Sequence, residues 1–361
     1  IIYLYLISFV ISDKVLFLHN QVPGNRNTRF NGGILKLENV NFVHHNKVLF
    51  INNTCYSDGG GIISVKGNSI IFSNSYFKDY YAFSLAGAIS CKSIKYIVQI
   101  KHCAFLRNIG SNGGSIYISN TYNVSFISNT FIANRAGDNG GSCTIEISQI
   151  FISIRNNFIM NTAKNYGGSL FFTYAKQLKS VRSKFIKNTA LSAGGIYVEH
   201  FTNFLNIMCG FFNNSVIEEA GSVQSISGRV FMDIQTVYVA NKAKLAGGAL
   251  YATEMDQITV RNTYFANNQA HVWGGSCFVK GTIVNFYNFV VLESQAQEGG
   301  GLFIKEALTV CFMNATLSKN VALSKGIKGG GALSVSNTMK LQMINCKLIM
   351  NRARGSTGGA M

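Results

Sequence analysis

The 361-residue chain contains one proline, Pro23, and one tryptophan, Trp273. Its length would admit two ordinary domains, but so little proline leaves no Pro-rich linker to divide them. No run of 18 apolar residues occurs, so no membrane-spanning helix is expected. Acidic residues are scarce, 15 Asp plus Glu against 32 Lys plus Arg, for a net charge of +17. A basic balance of that size can serve nucleic acid, an acidic polysaccharide or an anionic membrane surface. No basic run of five exists, however, and the lysines are scattered. That pattern suits a biased base composition as well as a partner, and no nucleic-acid partner is expected. The eight cysteines include no Cys-x-x-Cys pair. Phosphate loops of the GxxxxGK[S/T] kind, nucleophile elbows and the Gly-Gly-x-Gly-x-Asp calcium nonapeptide are all missing.

What the chain does have is glycine, 36 residues of it, and 47% apolar residues dominated by Ile, Phe, Val and Tyr. Those are the side chains that fit a pleated, buried surface, which points to an all-β protein. Gly-Gly or Ala-Gly steps recur at 33, 60, 87, 114, 141, 168, 195, 221, 248, 275, 300, 330 and 359, mostly 27 residues apart. A second landmark runs in phase with them: Phe105–Asn108, Phe131–Asn134, Phe158–Asn161, Phe185–Asn188, Phe211–Asn214, Tyr238–Asn241 and Phe265–Asn268. The unit is F-[I/L]-x-N-x-A-x-x-x-G-G-[A/S]-[I/L]-[Y/F]-[V/I] followed by about ten partly alternating residues.

A period of 27 suits one coil of three short strands, giving about twelve coils in a parallel β-helix. Identical positions then lie about 4.8 Å apart, so Phe stacks on Phe and Asn on Asn. The Asn amide carries donors and acceptors, and Asn108, Asn134, Asn161, Asn188, Asn214, Asn241 and Asn268 are expected to form a structural ladder. Cys103, Cys209 and Cys346 share one repeat position and Cys143 and Cys277 another, several coils apart. Free, buried thiols are therefore expected in place of a disulfide framework. Residues 1–30 read as a signal remnant or a first coil, and residues 31–361 as the repeat domain, cut off in mid-repeat at its C-terminus.

The paired FxxN and GGA[I/L] motifs, as in Phe185–Asn188 with Gly194-Gly195-Ile196, or Tyr238–Asn241 with Gly247-Gly248-Ala249-Leu250, resemble the repeats of chlamydial polymorphic outer membrane proteins. The resemblance covers about residues 32–361. It implies a right-handed, pectin-lyase-like solenoid displayed on a cell surface and used in adhesion. Any membrane attachment would then come from regions outside this stretch.

Enzymes of that fold need clustered acids. Glycoside hydrolysis requires two carboxylates about 5–10 Å apart. The six aspartates Asp13, Asp58, Asp79, Asp138, Asp233 and Asp256 never share a position on adjacent coils. Adjacent Glu218 and Glu219 would point to opposite faces if they lay on a strand. The pair His44-His45 would likewise diverge and reads as solvated. No catalytic residue, metal site or cofactor is therefore expected. The alternative is a polysaccharide lyase or glycoside hydrolase whose site is incomplete here or lies elsewhere. Between the Asn and Gly anchors lie about three freely varying residues, including Asp138, Tyr166, Glu218, His271 and Trp273. Constant anchors around a variable turn suit a recognition edge for glycans or cell-surface proteins.

Overall fold

A computed structural model describes residues 2–22, 34–56, 61–323, 329–354 and 359; the Gly33 and Gly60 landmarks lie outside them. The chain is an all-β parallel β-solenoid of about eleven turns, with three parallel sheets and a strand of each sheet in every coil. Among the described residues there is no helix. Two compact units divide it, Ile1–Gln177 and Leu178–Met361.

In the amino-terminal unit one sheet is built from long strands such as Ile62–Ser73, Ile89–Lys101, Ile116–Ile127 and Cys143–Ile154. Short strands such as Ala104–Leu106 and Thr130–Ile132 form the second sheet, and pairs such as Ile109–Gly110 and Arg135–Ala136 form the third. Strands Ile2–Tyr5 and Phe9–Asp13 pair in parallel with Leu35–Asn46, so the first residues form a coil of the same kind. Alternation sends Ile116, Ile118, Val124 and Phe126 inward, all buried. Phe77, Phe105, Phe131 and Phe158 stack almost parallel at 4.7–4.8 Å.

The carboxy-terminal unit repeats this plan with long strands Ile196–Ile207, Val223–Ile234, Leu250–Arg261 and Cys277–Tyr287. There Phe185, Phe211, Tyr238 and Phe265 stack at 4.7–4.9 Å.

The asparagine column forms inside each unit. In the first, Asn134 Oδ1 accepts both the backbone N–H of Asn108 at 3.0 Å and its Nδ2 at 3.1 Å, while Asn134 Nδ2 donates to Phe105 O and Asn161 Oδ1. In the second, Asn188, Asn214, Asn241 and Asn268 follow the same pattern. Each amide thus satisfies turn groups of neighbouring coils that are cut off from water. A second, shorter column occupies the preceding corner: Asn129 donates to Asn156 Oδ1, and Cys103 N donates to Asn129 Oδ1. Cys103 and Cys209 sit at that corner, with thiols donating to Lys101 O and Ile207 O. No disulfide joins any of the eight cysteines, six of which are buried.

Two glycine positions shift by one residue from the sequence spacing. Gly221 faces Gly194, not Gly195, and Gly331 faces Gly300, not Gly330. The pair's second glycine packs on the carbonyl of its counterpart in the next coil, so a Cβ at Gly141 would land on Gly168 O. The first residue of the pair is left-handed, which suits glycine at Gly140 (φ +63°) yet is also met by Ala193 and Ala220. In most coils three further corners are left-handed as well, and there Lys187, Met160, Arg155 and even Ile147 adopt φ near +54°.

Candidate recognition edge and groove

The turn between the Asn and Gly anchors is a hydrogen-bonded ladder in its own right. Asn165 N donates to Asp138 O at 2.9 Å, and Asn165 Nδ2 donates to Asp138 Oδ1 at 2.5 Å. Tyr166, in the same unit, is half exposed, with its N–H donating to Asn139 Oδ1 and its ring against Phe171 at 6.4 Å. Backbone ladders of this kind hold the variable side chains in place without depending on what those side chains are.

In the carboxy-terminal unit the predicted residues occupy neighbouring positions of the turn, not one column. Leu245 N donates to Glu218 O, and Val272 N donates to Leu245 O. Trp273 is bridged in parallel to Ala246 on one side and Glu298 on the other. His271 is exposed, its Nε2 lying 3.4 Å from Gln297 Nε2. Glu218 and Glu219 do not diverge as adjacent strand residues would, because they sit in a bend: Ser192 Oγ donates to Glu218 Oε2 at 3.1 Å and to Glu219 Oε2 at 3.4 Å. Burial, and then the charge of Glu218, raises the pKa of Glu219.

Trp273 is 40% exposed and leans on an aromatic row that faces away from the core. Tyr251, Phe278 and Phe303 stack at 4.9 and 5.5 Å, and the indole meets Phe278 and Phe303 at 6.1 and 6.2 Å. Trp273, Phe278 and Phe303, together with Glu298, Lys305, Leu333 and Leu341, line a groove of about 710 Å³. Such a volume lies in the range of small-ligand clefts. Lys305 pairs with Glu306 at 3.4 Å, and Glu306 also pairs with Lys280. Both lysines donate to the Glu306 carboxylate and hold its pKa below the usual value.

Phe278 and Phe303 were not singled out from sequence. The signal was their fixed offset from the glycine pair, with parity opposite to the inward Cys277 and Leu302, which places them on the outer face under the turn. The reading of His45 as solvated is corrected: it points inward, is fully buried and stacks on Phe72 at 5.1 Å, while His44 faces out to Ser73 Oγ. Among the described residues no three His, Cys, Asp or Glu side chains converge as a metal site. No family model, curated protein or solved structure matches the chain.

Proposed function

We propose that this chain is a non-enzymatic, cell-surface or secreted β-solenoid that works as an adhesive or recognition rod, of the kind the polymorphic outer membrane protein repeats resemble. Its partners are glycans or cell-surface proteins. The observation that carries the reading is Trp273. The one tryptophan of the chain sits half exposed at the mouth of an aromatic-lined groove, on a turn held by backbone bonds. An indole there offers a large apolar face with a polar edge, the combination enriched at sugar and protein contacts. Glu298 and Lys305 on the same groove supply an acceptor and a donor for hydroxyl or amide groups.

The test is a glycan array together with a cell-adhesion assay on the intact chain and on Trp273→Ala. Loss of a binding signal in the variant supports the reading. Survival of every signal places recognition elsewhere. Turnover of a pectin- or alginate-like polyanion by the intact chain would replace this reading with an enzymatic one.

A further inference from the structure

Four Asn-x-Ser/Thr triplets occur in the chain, at Asn52, Asn123, Asn213 and Asn314, and the recognition reading uses none of them. Such a triplet accepts an N-linked glycan, a bulky and strongly hydrated group that a folded chain carries only on its surface. The solenoid sorts the four by position.

Asn52 and Asn213 occupy the same corner of the repeat, one in the amino-terminal unit and one in the carboxy-terminal unit. Asn52 lies between strands Leu49–Ile51 and Thr54–Cys55, and Asn213 between Gly210–Phe212 and Ser215–Val216. Both are exposed and left-handed, at φ +52° and +55°, a conformation that asparagine tolerates. In each case the next residue, Asn53 or Asn214, is fully buried and carries the ladder bonds. The corner is therefore fixed without the exposed side chain. Its backbone is fixed as well, because Asn52 N donates to Lys78 O and Asn213 N to Val239 O, both at 3.0 Å. The hydroxyl residue two places on, Thr54 or Ser215, opens the following strand and is half exposed. In the coil after Asn213 the same corner holds Ala240, so no long side chain crowds that flank.

The other two triplets lie in different surroundings. Asn123 sits inside strand Ile116–Ile127, in register with Ile97 on one side and Ile150 on the other. It is half buried, and its Oδ1 is closed off from solvent. Asn314 is exposed, but its Nδ2, the atom that would bear a sugar, donates to Asn288 Oδ1 at 2.8 Å.

We infer that Asn52 and Asn213 are N-glycosylation acceptors, an inference that rests on the secreted or cell-surface reading. The donor is an oligosaccharide held on a lipid diphosphate. The asparagine Nδ2 forms a bond to the anomeric carbon, and the bond from that carbon to the diphosphate oxygen breaks. The lipid diphosphate leaves with the electron pair, and the amide nitrogen gives up one proton. One N–H remains on each acceptor, and the buried ladder beside it is untouched.

The full chain, exported from eukaryotic cells behind a cleavable secretion signal, tests the assignment. Enzymatic release of N-glycans in heavy-oxygen water turns each occupied asparagine into a labelled aspartate, which peptide mass spectrometry locates. The expected result is label at Asn52 and Asn213 and none at Asn123. Thr54→Ala and Ser215→Ala are each expected to abolish label at their own site and leave the other site unchanged. An unlabelled Asn52 or Asn213 overturns the assignment of that residue. Label at Asn123 equal to that at the two corners overturns the selection by geometry. Should the chain be retained in the cells, the same peptides from the membrane-enclosed fraction decide in the same way. The added signal imposes entry into the secretory pathway, so a missing glycan counts against the acceptors alone. The surface reading stands or falls on the adhesion assay.

Discussion

Asn241 Oδ1 accepts two hydrogen bonds from Asn214, one from its backbone N–H at 3.0 Å and one from its Nδ2 at 3.1 Å. Asn214 in turn accepts both bonds from Asn188 and donates to Phe185 O. One side chain therefore holds groups of three coils, all out of reach of water. Replacing Asn214 with Leu takes an acceptor from the Asn188 backbone N–H and amide and a donor from the Phe185 carbonyl, at about 1–3 kcal/mol for each buried bond lost. The expected cost is at least about 3 kcal/mol in a denaturant titration. Asn213→Ser, on the exposed side of the same corner, is expected to shift stability by under about 1 kcal/mol. Equal midpoints for the two variants would remove the column from the account of stability.

Ile147 offers a stabilising substitution. It holds φ +54° in the bend of Cys143–Ile154, a conformation that a β-branched residue adopts only under strain. Half its side chain is exposed, so little burial is lost by changing it. Ile147→Asn is expected to raise stability by about 1 kcal/mol, because asparagine tolerates the left-handed region. A lowered unfolding midpoint for this variant would show that the isoleucine contributes more by packing than it loses in backbone strain.

His45 gives the amino-terminal unit a pH response of its own. Desolvation, and then the neighbouring His44, lower its pKa from 6.5 to about 4. The unfolded chain therefore binds a proton that the folded chain rejects. The stability this group contributes is complete above about pH 6.5 and is lost as pH falls toward 4, by about 3 kcal/mol at 1.36 kcal/mol per pH unit. His45→Leu is expected to flatten the unfolding midpoint between pH 6.5 and 4. An unchanged pH profile in the variant would assign the acid lability to other groups.

The solenoid was legible because a 27-residue period puts like residues in register, and Phe131 over Phe158 or Asn214 over Asn241 repeat the same physics in each coil. The backbone bends were not legible. Left-handed corners usually announce themselves by glycine or asparagine, yet here Met160, Arg182 and Lys187 fill them, because stacking on both sides overrides the local preference. The burial of His45 and Asp233 was hidden for a related reason. Alternation gives their face, but whether a polar residue on the inward face finds a partner depends on the coils above and below. The convergence of Glu218 and Glu219 on Ser192 was hidden by reading a bend as a strand. Trp273 was singled out from its place in the variable turn, whereas the rings of Phe278 and Phe303 that support it belonged to the repeat itself and looked like ordinary strand residues.

The recognition reading requires that Trp273 be separable from the core, and a matched pair of variants measures that. Phe265 is fully buried between Tyr238 and Val291 in the stacked column. Phe265→Ala is expected to cost about 3–5 kcal/mol, the usual price of removing a core ring. Trp273 meets Phe278 and Phe303 at 6.1 and 6.2 Å and leaves 40% of its surface open. Its truncation removes part of one apolar contact and creates no enclosed cavity, so Trp273→Ala is expected to cost about 1–2 kcal/mol. Thermal melts of both variants, run beside the binding assays, carry the comparison. If Trp273→Ala melts as early as Phe265→Ala, the indole is a core group, and its loss of binding would report unfolding. If it melts close to the wild-type chain while binding is lost, the groove beside Glu298 and Lys305 is the surface that recognises the partner.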